Sequence, residues 1–217
     1  MKIFALMLAV LVLAGCGESE EERQRREQRK AAACQATDWW ALGFEDGVKG
    51  LRADQFGKYR RECSPYGVTA NITLYREGRD EGLLEYCKPQ NGYNLGVDGR
   101  RYANVCPPRL EGPFQDAHAD GLGLHERRTA VDNAADRLNQ ARRRADELEL
   151  IIADRTTAMI SPDTPLADRV NIGIEIKQLT QDKVDLERSI PRMEADLNNA
   201  QYELNDYRGS ISGRYSS

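Results

Sequence analysis

Apolar residues follow three different patterns along the chain, and each predicts a different kind of element. From Ile3 to Leu13 they are nearly continuous, a run too short for a membrane-spanning helix of about 20 residues. Residues 17–30 reverse the pattern, setting Glu18, Glu20, Glu21 and Glu22 against Arg23, Arg25, Arg26, Arg29 and Lys30. With no apolar face to bury, that stretch reads as a solvated tether or frayed helix. Beyond His125 a heptad takes over. Val131, Leu138, Ala145, Ile152 and Met159 recur every seven residues, with Ala134, Ala141 and Leu148 three later. Past a break at Ser161-Pro162-Asp163-Thr164-Pro165, Ile176, Ile190, Leu197 and Leu204 hold one heptad position, interrupted by Lys183. Ile172, Leu179, Leu186, Met193, Ala200 and Tyr207 hold the other. So short a link predicts an antiparallel helical hairpin with a coiled-coil seam, each arm reaching ~60 Å. Pro191 should kink the second arm.

Between the tether and the heptads, glycine, aromatic and cysteine residues dominate, and a motif recurs. Trp40 is followed by Gly43 and Gly47, Tyr75 by Gly78 and Gly82, Tyr93 by Gly96 and, one residue early, Gly99, and Phe114 by Ala117 and Gly121. Spacings of three and four place an aromatic and two small residues on one helical face. Glycine costs a helix ~1 kcal/mol relative to alanine. Its repetition at equivalent places implies close approach of neighbouring helix backbones, with the aromatic covering the seam. Strands joined by glycine turns are the alternative, but β-branched residues are scarce and alternation is absent. Each unit closes on a cysteine and proline (Cys63-Ser64-Pro65, Cys87-Lys88-Pro89, Cys106-Pro107-Pro108), read as a helix stop. Tyr59 and Tyr102 stand one turn before Cys63 and Cys106.

The predicted fold class is all-α: a small glycine- and cysteine-rich helical domain followed by the hairpin. Its segments are a leader at 1–15, a tether at 16–33, the compact domain at 34–123, the hairpin at 124–208 and a flexible tail at 209–217. Apart from Cys16, the cysteines are Cys34, Cys63, Cys87 and Cys106. They read as two disulfides rather than a zinc site, because there is no Cys-x-x-Cys pair and both histidines lie outside the cluster. If the helices alternate up and down, Cys34 pairs with Cys87 and Cys63 with Cys106. A helix break near Gly50 would reverse that parity.

Charge excludes more than it suggests. A net charge of −4 with both signs mixed offers no patch for nucleic acid. No nucleophile elbow, phosphate loop, zinc-protease helix or dinucleotide fingerprint is present, so no enzyme activity and no cofactor are expected. His118 and His125, seven residues apart, could face one way with Asp116 or Asp120 as metal ligands, but exposed polar residues are the preferred reading. The carboxylate pairs Glu45–Asp46, Asp80–Glu81 and Asp146–Glu147 read as solvated faces. Trp39, Trp40, Tyr75 and Tyr93 could line a groove for cell-wall glycan or a small ligand, against the preferred reading as seam filler.

The N-terminal run ends Leu13-Ala14-Gly15-Cys16 behind Lys2, and so resembles a bacterial lipoprotein signal. In such signals the thiol is lipidated and the preceding bond is cut, leaving Cys16 as an acylated first residue. Several fatty chains at ~0.8 kcal/mol per methylene make the anchoring effectively permanent. Gly17 points to the outer membrane, facing the periplasm, since aspartate there favours inner-membrane retention in the proteins it resembles.

Asp38-Trp39, Gly43, Asp46-Gly47, Tyr75-x-x-Gly78-x-x-x-Gly82, Tyr86-Cys87, Gly92-Tyr93 and Tyr102-x-x-x-Cys106 together resemble an uncharacterised bacterial lipoprotein family, domain of unknown function 2799. The resemblance covers 34–123. It implies a lipoprotein with a cysteine-stapled domain and brings no catalytic residues. The expectation is therefore a non-enzymatic envelope protein, held at the membrane through Cys16, whose hairpin docks on an envelope partner or on another copy.

Overall fold

The computed structural model describes residues 19–215. The leader, Cys16 and Gly17 lie outside them. Seven α-helices span the described residues: α1 Glu20–Gln35, α2 Trp39–Val48, α3 Gln55–Cys63, α4 Ile72–Tyr86, α5 Pro89–Val97, α6 Pro108–Ile160 and α7 Leu166–Ile211, with one 3-10 turn at Ser64–Tyr66. No strand occurs among the described residues, as the scarcity of β-branched residues implies. None of these helices is long and apolar enough to cross a membrane.

Local chemistry sets the helix starts. Ser19 and Glu22 form a reciprocal capping box on α1, with Oγ accepting from the Glu22 amide at 3.2 Å. Asp38 Oδ1 accepts from the Ala41 amide at 3.0 Å to cap α2. From Glu20 the charged tether is thus an ordered helix running on past Cys34, laced by pairs such as Lys30–Glu27 at 2.9 Å. The prolines expected to stop helices begin them instead. Pro89 and Pro108 open α5 and α6, where a missing amide hydrogen costs nothing.

The chain divides into two compact units between Gly82 and Leu83, within α4. In the first, α2 and α4 run in the same direction and touch backbone to backbone. A Cβ on Gly43 would fall on the Tyr75 carbonyl, one on Gly78 on the Trp40 carbonyl, and one on Gly82 on the Phe44 carbonyl. In the second unit α5 and α6 repeat the arrangement. There Gly92 abuts Phe114, Gly96 abuts His118, and Gly121 abuts Tyr93. A small residue at every fourth position lets two backbones approach where any side chain would hold them apart.

The two pairs are copies in detail. Gly50 (φ 65°) ends α2 and Gly99 (φ 68°) ends α5. The bonds around them match: Leu51 N to Asp46 O at 2.9 Å and Gly50 N to Gly47 O at 2.9 Å, against Arg100 N to Leu95 O at 3.0 Å and Gly99 N to Gly96 O at 2.8 Å. Both are Schellman caps, which require a left-handed residue. The second helix of each pair then reaches the peptide just past the cap. Arg79 Nε and Nη2 donate to the Leu51 carbonyl at 3.1 and 2.8 Å, and His118 Nε2 donates to the Arg100 carbonyl at 2.7 Å. Gly43, Gly47 and Gly50 therefore correspond to Gly92, Gly96 and Gly99. The repeat thus aligns on Gly92 and Gly96, one helical turn before the expected Tyr93-Gly96-Gly99, because Gly99 is a cap and not a crossing residue.

This parallel arrangement corrects the disulfide pairing. The bonds are Cys34–Cys63 and Cys87–Cys106, with Cα separations of 5.4 and 5.7 Å, not Cys34–Cys87 and Cys63–Cys106. The break at Gly50 inserts α3 between α2 and α4, so the helices that pack together are parallel and their entrances lie side by side. Each disulfide joins the two entrances of one pair. Loops of 29 and 19 residues make each worth about 3–4 kcal/mol in the chain-entropy account.

The expected boundary at 123/124 falls inside α6, which packs on α5 at its start and on α7 further along. Of the predicted heptad positions on α6, Ala134, Leu138, Ala141, Ala145 and Leu148 are buried, while Val131, Ile152 and Met159 are only half-buried. Ion pairs Arg142–Glu194 (2.5 Å), Glu149–Lys183 (3.0 Å) and Arg155–Glu175 (3.2 Å) join α6 and α7. Lys183, which interrupts the predicted heptad, pairs its ammonium with Glu149 and Glu187. The tail from 209 is not free through 215. Ile211 is buried with Leu124 and Leu204, and the Tyr215 ring stacks on Tyr93 at 4.6 Å.

Candidate functional site

Three groups of residues stand out as candidates for the working part of the molecule, the first being the polar centre of the first unit. Asp46 lies on the glycine stripe of α2, one residue before Gly47, and is 2% exposed. The Tyr75 hydroxyl donates to its Oδ2 at 2.7 Å and the Tyr59 hydroxyl to its Oδ1 at 3.1 Å. Burial, reinforced by the bond to Asp46, pushes the Tyr59 phenol up to about 12 and Tyr75 further still. Both phenols are therefore fixed as donors to a buried acceptor, the pattern of a structural pin.

The second copy supports that reading, because Leu95 and Phe114 occupy the places of Asp46 and Tyr75 and need no hydrogen bond. Tyr102 covers Phe114 at 4.7 Å as Tyr59 covers Tyr75 at 6.2 Å. Suppressed ionisation in the folded state gives stability that is full below pH 10 and lost as pH rises through about 12. Spectrophotometric titration should accordingly find a class of phenols silent between pH 10 and about 12 that ionises only with unfolding. Tyr59→Phe should shrink that class, and its ionisation in step with free tyrosine would contradict the burial.

Asp120, on α6, organises the second group. Its carbonyl accepts from the Tyr207 hydroxyl at 3.1 Å, and its carboxylate accepts from Tyr215 at 2.7 Å and Arg214 at 3.0 Å. Arg127 lies over the Tyr207 ring at 4.0 Å, and Gly123 leaves room for that ring. These contacts dock the end of α7 on α5 and α6. A cavity of ≈ 550 Å³ beside Cys34 is rimmed by Lys30, Arg61 and Glu62, all exposed, and no buried unpaired polar atom lies in it.

The residues singled out from sequence fare unequally. Trp39 and Tyr75 are core residues, Tyr93 lies under Tyr215, and of the four only Trp40 is exposed, so they do not form one groove. Asp46 is buried rather than solvated, while its neighbour Glu45 is exposed. His118 and His125 each donate to a backbone carbonyl at the end of α5, His125 Nδ1 to Val97 at 3.1 Å. Among the described residues no group of three or more metal-ligating side chains converges. Sequence reasoning missed the Asp46 pin. Its signal was an acid on the stripe between Gly43 and Gly47.

The third group is apolar surface. No residue from 149 to 203 is buried. Leu166, Val170 and Ile174 form a row at four-residue spacing on α7, 79%, 59% and 54% exposed, with Ile160 and Leu150 exposed on α6. A second row lies on α2, where Trp40 and Val48 are exposed and the Trp40 and Phe44 rings stack at 5.4 Å.

Residues 38–123 match the model of a family described as a protein of unknown function, DUF2799. The match begins at the cap of α2 and ends just past Gly121, so it takes in both glycine-crossed helix pairs and meets the resemblance expected from their motifs. No curated protein and no solved structure matches the chain.

Proposed function

We propose that this chain is an envelope lipoprotein, anchored through Cys16 on the periplasmic side of the outer membrane, that acts as a non-enzymatic interaction protein. In this reading α6 and α7 form an antiparallel coiled-coil arm that docks against further helices, from an envelope partner or from a second copy. The carrying observation is the far part of that arm, where 149–203 contains no buried residue and Leu166, Val170 and Ile174 stand in an exposed row. Two helices cannot cover both sides of each other, and apolar rows left over at helical spacing are what a third or fourth helix covers. The two disulfides suit an oxidising compartment.

Two expected results test the halves of this reading separately. Cys16→Ser should move the protein from the membrane fraction to the soluble fraction, and unchanged membrane retention would remove the lipid anchor. Replacing Leu166, Val170 and Ile174 together by aspartate should leave helix content intact, since all three are exposed. Crosslinked complexes from detergent-solubilised envelopes should then disappear. A ladder of the chain's own mass in the unaltered protein would identify a second copy, and a heavier adduct a partner. Complexes unaffected by the triple change would place docking elsewhere.

A further inference from the structure

The internal duplication gives the α2 row a covered counterpart in the second unit. In the second unit, Tyr93 and Val97 form the outward row of α5, and the chain's own end covers it: Tyr215 stacks on Tyr93, Ile211 packs into the cluster that includes Val97, and Arg214 and Tyr215 converge on Asp120. In the first unit, Phe44 and Val48 hold the places of Tyr93 and Val97, extended by Trp40. Glu81 precedes Gly82, which abuts Phe44 and Val48, as Asp120 precedes Gly121, which abuts Tyr93 and Val97. Trp40, Val48 and Glu81 are exposed, so this copy of the site keeps its apolar row and its acid without a cover.

We propose that the row Trp40, Phe44 and Val48, with Glu81, is a docking site for a chain segment of a partner protein that resembles residues 211–215. Such a segment has an aliphatic residue followed three and four positions later by an arginine and a tyrosine. The tyrosine ring lies on Phe44 and Trp40, the aliphatic side chain covers Val48, and the arginine and the phenol meet the Glu81 carboxylate. Tyr207 is not part of the required guest, because its ring uses the space at Gly123 where α4 has Leu84. The site is independent of the hairpin row and of the lipid anchor.

The probe is a synthetic peptide of residues 205–217 added to the intact chain, whose own end already occupies the second unit. Both tryptophans belong to the first unit, so their emission reports binding there. Saturable binding with a change in tryptophan emission is expected. Val48→Asp or Glu81→Ala should weaken it by about tenfold or more, as should Tyr215→Ala within the peptide. Both protein variants alter exposed side chains, and unchanged helix content by circular dichroism verifies their folding. No saturable change up to about 1 mM peptide would overturn the proposal. So would binding that Val48→Asp leaves undiminished, since the peptide would then be exchanging with the tail on α5 and α6.

Discussion

Gly78→Ala is expected to destabilise the first unit by about 3 kcal/mol, although alanine is the better helix former. The added Cβ would fall on the Trp40 carbonyl and come within 3.0 Å of the Phe44 amide nitrogen, both of them backbone. No rotamer change relieves such an overlap, so the two helices must part, losing contacts along the whole seam. Gly173→Ala is the control within the same chain. It lies in the interior of α7, where a new Cβ would meet Met159 Sδ at 3.8 Å, an ordinary contact. That change should stabilise by up to about 1 kcal/mol, the intrinsic preference alone. Denaturant unfolding of the two variants separates crossing glycines from incidental ones. Equal effects of one sign would mean that α2 and α4 do not touch through backbone.

How much of this was legible in advance follows the range of the interactions. The face shared by Tyr75, Gly78 and Gly82 is set by spacing within one helix, and it is buried against α2 as that spacing implies. The burial of Leu138, Ala145 and Leu148 is set likewise by the heptad. On α2 Gly43 crosses as expected, but Trp40 does not cover the seam: it turns outward onto Phe44, and Trp39 is the buried aromatic. The pairing of cysteines depends on helix direction, and direction turned on whether Gly50 ended a helix. A glycine with φ 65° at a cap and a glycine at a crossing are the same letter. The same ambiguity put Gly99 on a crossing face. Boundaries were misplaced where two packing partners share one helix. The α6 helix serves α5 with Phe114, Ala117 and Gly121 and α7 with Ala134 and Leu138, so composition shifts near 123 while the helix runs on. The docked end was missed because Tyr215 sits among serines and glycines, and nothing local reveals that Tyr93 lies beneath it.

Asp46→Leu should cost about 3 kcal/mol alone and far less together with Tyr75→Phe. Leucine places an apolar side chain where the carboxylate accepted two hydrogen bonds, leaving the hydroxyl of Tyr75 (1% exposed) with no acceptor. A buried donor without a partner costs about 1–3 kcal/mol, and loss of the Tyr59 bond adds to it, softened because Tyr59 is half-buried and can turn to water. Removing the Tyr75 hydroxyl abolishes the orphan and reproduces the Leu95–Phe114 pair that the second unit already uses at the same crossing. The coupling in a double-mutant cycle should therefore reach about 2 kcal/mol, favouring the double variant over the sum of the single changes. Unfolding free energies of the four proteins measure it directly. Additive losses would mean that the copies are not interchangeable at this position. Asp46 would then hold something beyond its two tyrosines, and the polar centre would return as a site. Strong coupling leaves it a pin, whose two phenols hold a buried carboxylate and nothing else.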